Sequence, residues 1–126
     1  MFEVAVSETF AAGHALRNYR GKCERVHGHN YKVCITMHGE GLDDIGMLVD
    51  FGEIKRVLRK AIEYLDHQFI NDLPPFDKIN PSAENMAKYF CEEMQRGLEE
   101  GMGKVPVHIR SVQVWETDTS VATYRP

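Results

Sequence analysis

The chain has 126 residues, 43% hydrophobic and 27% charged, a mix and a length that fit one globular core spanning 1–126 and exclude disordered, collagen-like and low-complexity classes. Fifteen basic against nineteen acidic residues give a net charge of −4, which excludes an activity resting on phosphate neutralisation of nucleic acid while leaving room for a local basic patch. Cys23, Cys34 and Cys91 are odd in number with no CxxC pair, against both a disulfide framework and an all-cysteine zinc site, and with no basic leader or long apolar run the expected product is soluble, unprocessed and cytoplasmic, without a membrane partner.

In chain order, Phe2, Val4, Val6 and Phe10 alternate with polar or small residues, predicting a first strand with one buried face. Periodicity is lost over 11–29, which reads as a long loop rich in glycine and basic residues. Alternation resumes from Asn30 to Glu40, with Tyr31, Val33, Ile35 and Met37 on one side. Turn residues follow over 39–46, and Met47–Val49 reads as a short strand. Asp50 with Glu53 fits a capping box, and Ile54, Val57, Leu58, Ala61, Ile62 and Leu65 make the apolar stripe of a helix over 51–65. Pro74, Pro75 and Pro81 interrupt regular structure until Ser82, the N-cap of a second helix. Its stripe is Ala83, Ala87, Phe90, Cys91, Met94 and Leu98, with Gly101 or Gly103 ending it. Val105, Val107 and Ile109 alternate on odd numbers but Val112 and Val114 on even ones, which predicts a bulge near Arg110–Ser111. Val121–Tyr124 is a last short strand. The order strand, strand, helix, helix, strand, strand predicts an α+β layer, an antiparallel four-stranded sheet with both helices on one face. The other face carries Ser7, Lys32, Cys34, Thr36, His38 and Gln113, suited to water or to the interior of an assembly.

Six histidines are the unusual feature of the composition. His27 and His29 are two apart in an extended segment, so their rings share a side, and their odd numbering continues the Tyr31 series toward the covered face. If the first two strands pair, His14 arrives beside them, and three imidazoles with an open fourth position make a catalytic type of zinc site. The competing reading is a turn with exposed histidines. Cys23, four residues before His27, is open to four roles: a fourth ligand, a nucleophile, a base, or a small buried residue. Asp66–His67 pairs a carboxylate with an imidazole, either as an acid–base couple or as ordinary decoration of a helix end. Glu116 ends the apolar row Val112, Val114 and wants a cationic or multi-donor partner; two parallel N–H donors on a ligand edge would suit it as well as solvent would.

Together, Phe10-Ala11-Ala12-Gly13-His14, Cys23-Glu24-Arg25-Val26-His27-Gly28-His29, Gly46-Met47-Leu48-Val49-Asp50-Phe51, Leu65-Asp66-His67, Asn80-Pro81-Ser82-Ala83-Glu84-Asn85 and Glu116-Thr117 span nearly the whole chain. In that order they resemble the 6-pyruvoyltetrahydropterin synthase / 6-carboxytetrahydropterin synthase (QueD) family. The resemblance implies a T-fold (tunnelling fold), whose subunits join sheets into an oligomeric barrel with active sites at subunit interfaces, often as a hexamer built from two trimers. It implies Zn2+ held by His14, His27 and His29, a reactive Cys23, an Asp66–His67 catalytic pair from a neighbouring subunit, and Glu116 gripping the amino-pyrimidinone edge of a pterin. Ser82 stands where the family often has threonine near the pterin pocket. The three residues between Cys23 and His27 look like the bacterial carboxy-type enzyme, the animal pyruvoyl-type having a longer insertion. A further subgroup has glutamate in place of the cysteine and serves folate synthesis; Glu24 lies beside Cys23 and not in its place, so dual function is not favoured.

The activity so implied converts 7,8-dihydroneopterin triphosphate to 6-carboxy-5,6,7,8-tetrahydropterin, releasing acetaldehyde and triphosphate, on the route to queuosine. The alternatives are a 6-pyruvoyltetrahydropterin synthase, which eliminates triphosphate without carbon–carbon cleavage, and a non-catalytic pterin- or zinc-binding oligomer that kept the fold. A polyanionic substrate on an acidic protein calls for a local basic cluster, and Arg17, Arg20, Lys22 and Arg25 are the candidates, against the plainer reading of a solvated loop.

Overall fold

Cross-strand hydrogen bonding carries the first two strands further than side-chain alternation predicts. In the computed structural model, which describes residues 1–20, 25–98 and 105–126, β1 covers Phe2–His14 and β2 covers His27–Gly39. They pair antiparallel from Phe2 opposite Gly39 to His14 opposite His27. The expected loop over 11–29 is therefore shorter, because Ala11–His14 and His27–His29 belong to the ladder. Small residues at 11–13 leave no apolar pattern there, but their backbones still bond.

Helix α1 covers Phe51–Glu63, helix α2 covers Ala83–Leu98, and strands β3 (His108–Thr117) and β4 (Ser120–Tyr124) complete the predicted order. The sheet runs β1-β2-β3-β4 with every pair antiparallel, and β1 and β4 are its outer strands. Both helices lie on one face, where Tyr31, Ile35 and Val112 from the sheet meet Leu58, Met86 and Phe90 from the helices, all fully buried. Each such side chain contributes roughly 1.5–3 kcal/mol on leaving water.

Local chemistry explains where the elements depart from expectation. Asp50 caps α1 by accepting the Gly52 N–H at 2.7 Å, but Glu53 turns to Arg56 at 3.1 Å and does not complete the capping box. The helix stops at Glu63, before the predicted Leu65, which stays buried in the following turn. Met47–Val49 is not a strand: the Asp43 carboxylate accepts the N–H groups of Ile45 and Met47 at 3.0 and 2.8 Å, folding the segment so that Leu48 and Val49 plug the core from a loop. Ser82 Oγ accepts the Asn85 N–H at 3.2 Å and caps α2, whose buried stripe also includes Met86. Gly101 and Gly103, expected to end α2, lie outside the described residues.

Strand β3 holds the predicted irregularity. Thr36 stands opposite Ser111 but Met37 opposite Ile109, leaving Arg110 as the extra residue. A second register shift follows, with Trp115 opposite Val121 and Thr117 opposite Ser120, so Glu116 is extra against β4. Bulges re-aim side chains and recur beside active sites.

Candidate metal centre and active site

The sheet register assembles the site. His14 ends the core-facing row of β1, and His27 and His29 begin the core-facing row of β2. With His14 opposite His27 and Ala12 opposite His29, the three imidazoles converge with ring centroids 4.7 to 5.0 Å apart. Glu116 reaches in from β3, its Oε1 3.1 Å from His14 Nε2 and 3.2 Å from His29 Nε2. One donor atom from each of His14, His27, His29 and Glu116 lies within 4.8 Å of all the others, a group that could hold a metal ion.

Ring orientation tests the fit. His14 Nδ1 lies 2.8 Å from the Pro81 carbonyl and His27 Nδ1 lies 3.0 Å from the Arg25 carbonyl. A carbonyl only accepts, so both Nδ1 atoms carry the proton, and in each neutral ring the lone pair sits on Nε2. Those two Nε2 atoms are 3.1 Å apart. Two lone pairs at that separation repel unless a cation lies between them, and outward carbonyl bonds are how metal-binding imidazoles are usually oriented. The donor set of three imidazoles and a carboxylate suits Zn2+ and related divalent ions.

Tyr31 floors the cluster, edge-on to His14 and His29 and stacked on Phe10 at 5.0 Å. Burial, and secondarily the charge of Glu116, holds its phenol above the ordinary tyrosine range, and among the described residues its buried hydroxyl has no hydrogen-bond partner.

The turn leaving His14 is held by side-chain amides. Asn71 bonds both backbone groups of Ala15, at 2.9 and 2.7 Å, and Asn80 does the same for Arg17, at 2.7 and 2.8 Å. Arg17, a candidate for triphosphate, directs its guanidinium to the carbonyls of Asn71, Phe76 and Ile79. Arg20 lies over the Tyr19 ring at 5.2 Å and Arg25 is exposed. Lys22 and Cys23 lie outside the described residues. Of the other thiols, Cys91 is buried in α2, where burial first and Glu92 second push it up and make it unreactive.

Asp66 and His67 stand on the outer edge of β1. The Asp66 Oδ1 accepts the Ala11 N–H at 3.1 Å and lies 2.9 Å from His67 Nδ1. The Ala11 bond is the main reason that its carboxyl sits below the ordinary range, with the His67 imidazole adding to it against a smaller desolvation. His67 has φ 59°, in the left-handed region that a histidine rarely adopts, and its N–H donates to the Ala11 carbonyl at 2.6 Å. This reversal lets Gln68 and Phe69 continue along β1 beside Gly13. With Nδ1–H donated to Asp66, Nε2 of an imidazole that is 80% exposed is left facing outward, over a depression of about 440 Å³ shared with Gly13, Gly28, His29 and Gln68.

Glu116 also lines a second depression, of about 300 Å³, with Ala83 and Glu84 at the start of α2 and Ser120–Thr123 of β4. Ser82 adjoins it in sequence, its hydroxyl engaged as the helix cap. Sequence reasoning did not find Tyr31, Asn71 or the Pro81 carbonyl as parts of the site. Asn80 and Pro81 stood in a recognised motif without a role, whereas nothing in the sequence marks Asn71 as buried. His38 and His108 are cross-strand neighbours, ring centroids 6.2 Å apart, away from the cluster.

Solved structures share this architecture over nearly the whole chain. The 6-pyruvoyl tetrahydropterin synthase of Caenorhabditis elegans superposes with a TM-score of 0.82 at 22% identity, covering 99% of this chain and 95% of that one. The Plasmodium vivax 6-pyruvoyl tetrahydropterin synthase gives 0.80 at 23%, covering 99% and 97%. A four-stranded antiparallel sheet, open in the single chain and backed by two helices, is thus the T-fold of these proteins. The sequence narrows the class: the model of the family described as 6-pyruvoyl tetrahydropterin synthase matches residues 3–126, and the chain belongs to that family. Its relatives include 6-carboxy-5,6,7,8-tetrahydropterin synthase of Bacillus subtilis, 36% identical over 130 residues that cover 99% of this chain and 86% of that protein. Human 6-pyruvoyl tetrahydrobiopterin synthase is 35% identical over 109 residues, covering 83% and 71%. Among the described residues no helix is long and apolar enough to cross a membrane.

Proposed function

We propose that the protein is a zinc-dependent 6-carboxy-5,6,7,8-tetrahydropterin synthase, a cytoplasmic single-domain lyase of queuosine biosynthesis that takes 7,8-dihydroneopterin triphosphate and one water to 6-carboxytetrahydropterin, acetaldehyde and triphosphate. The observation that carries it is the converging set His14, His27, His29 and Glu116, with the imidazole rings of His14 and His27 oriented by backbone carbonyls. Similarity to the Bacillus subtilis enzyme along almost the full chain, and the short interval between Cys23 and His27, favour the carboxy product.

His14, His27 and His29 would hold the ion, which when bound supplies Lewis-acid polarisation of substrate oxygens. Glu116 accepts the paired N–H donors of the pterin ring and so fixes which part of the substrate meets the histidines, with Ser82 close to the ring. Cys23 and the Asp66–His67 pair move protons on opposite sides of the substrate side chain. For His67 the geometry suits this: Asp66 holds its Nδ1–H, leaving Nε2 to take or give a proton. The outward position of the pair on the β1 edge, with the second outer strand β4 at the other side of the sheet, supports a homo-oligomer in which His67 serves a neighbouring subunit, a dimer of trimers in this reading. Arg20, Lys22 and Arg25 are left to meet the triphosphate.

Mass spectrometry of the products formed from 7,8-dihydroneopterin triphosphate by zinc-replete protein tests the proposal. Carboxytetrahydropterin with acetaldehyde is expected. The human relative gives weight to a second reading, and 6-pyruvoyltetrahydropterin without acetaldehyde would establish it instead. Tight pterin binding without turnover would mark a non-catalytic binder. Cys23→Ala should abolish turnover and leave zinc content unchanged; loss of zinc would make Cys23 a ligand.

A further inference from the structure

We infer that Glu116 is a fourth donor of the metal centre before substrate arrives, and that the pterin ring draws it away, so that ring binding is what opens a coordination position. The inference rests on the pterin-synthase reading for its second half only.

The first half is geometric. Four donors set tetrahedrally about 2.0–2.1 Å from a zinc ion lie about 3.3 Å from one another. The separations found are 3.1 Å between His14 Nε2 and His27 Nε2, 3.1 Å between His14 Nε2 and Glu116 Oε1, and 3.2 Å between His29 Nε2 and Glu116 Oε1. Glu116 Oε1 therefore stands as close to the His14 and His29 nitrogens as the His14 nitrogen stands to that of His27, and with all four donor atoms within 4.8 Å of one another it occupies a place where a fourth ligand fits. A carboxylate that merely awaited a ring would not need to lie among three converging Nε2 atoms.

The second half comes from position. Glu116 is the extra residue of the second β3 bulge, so its placement is set by that bulge more than by paired positions on β4. It borders both the histidine cluster and the 300 Å³ depression beside the start of α2. A planar pair of parallel ring N–H donors engages both oxygens of the carboxylate, including the Oε1 that faces the histidines, so a ligand in that depression draws the charge of Glu116 away from the ion. Only pterin-bound protein would then offer the ion an open position, a gate against unproductive chemistry with water or bare phosphates.

The test uses full-length wild type, Glu116→Gln and Glu116→Ala. Zinc affinity is measured by chelator competition without pterin, and metal-free thermal unfolding checks that each variant folds. A loss of at least tenfold in affinity for both variants is expected; affinity within twofold of wild type overturns the ligand role. Cobalt-loaded wild type should show the intense visible bands of a four-coordinate ion, and Glu116→Gln a weaker, shifted spectrum. Adding 7,8-dihydroneopterin to the cobalt-loaded wild type should move its bands toward those of the variant. Unmoved bands with dihydroneopterin binding seen by calorimetry would overturn the withdrawal. No binding of dihydroneopterin at all would sink the withdrawal together with the proposed function, while the affinity comparison still decides whether Glu116 is a ligand.

Discussion

Replacing Asn71 by Ala asks whether the turn after His14 is held by side-chain amides. Asn71 is buried, and it closes two bonds on Ala15, one accepted at 2.9 Å and one donated at 2.7 Å. Alanine removes both and leaves an N–H and a carbonyl of a half-buried residue to find water. At about 1 kcal/mol net for each bond, and up to about 2 more where an Ala15 group stays dry, the loss is about 2–4 kcal/mol. With about 2.1 cal/mol/K of unfolding entropy per residue, 126 residues convert this to a fall of about 8–15 °C in melting temperature. Asn71→Leu keeps the bulk and loses both bonds, so it should fall comparably. Asn71→Asp keeps an acceptor for the N–H but turns a carboxylate on the Ala15 carbonyl, and should do no better than alanine. Because Ala15 directly follows His14, zinc affinity by chelator competition should weaken in all three. Metal-free alanine and leucine variants that melt within about 2 °C of wild type at equal protein concentration, well inside the expected shift, would refute the reasoning.

Gly97→Ala would place a Cβ 2.3 Å from Val57 Cγ1, between α2 and α1. Overpacking of about 1–3 kcal/mol should outweigh the helix-propensity gain of up to about 1 kcal/mol, and adding Val57→Ala should recover part of the loss in thermal unfolding. The lowered carboxyl of Asp66 adds stability that is complete above its unfolded value and is lost as pH falls through the folded one. Below about pH 4 the melting temperature of wild type should therefore drop more steeply than that of Asp66→Asn, and parallel acid profiles would contradict this.

The parts of the molecule visible in the sequence are those written by side-chain period. Tyr31, Val33 and Ile35 announced β2, the stripe of Ile54, Leu58 and Ile62 announced α1, and the parity change around Arg110 announced the bulge. The same odd-number row placed His27 and His29 on the covered face. What escaped depends on bonds that no periodicity records. The small residues at 11–13 hid the end of β1, and Asp43 used its carboxylate to make a turn where Met47–Val49 looked like a strand. Asn71 and Asn80 act on backbone groups, and the Pro81 carbonyl on the His14 ring, each more than fifty positions away. Glu116 was legible as a carboxylate at the end of the Val112–Val114 row, but that His14 and His29 are its partners follows from the pairing of β3 with β2 and of β2 with β1, which no side-chain period records.

Arg110 divides β3 into two phases. Before it, odd-numbered Ile109 faces the helices; after it, even-numbered Val112 and Val114 do, and Glu116 extends that second phase. Because Arg110 is left out of the pairing with β2, its removal would only let Ile109 and Ser111 run on in regular alternation, whereas a residue lost between Val112 and Glu116 would turn Glu116 away from the histidines. A substitution at 110 changes none of this. The strand can thus drift at 110 in identity and in length, while the interval from Val112 to Glu116 is held fixed by the need to aim that carboxylate at His14 and His29.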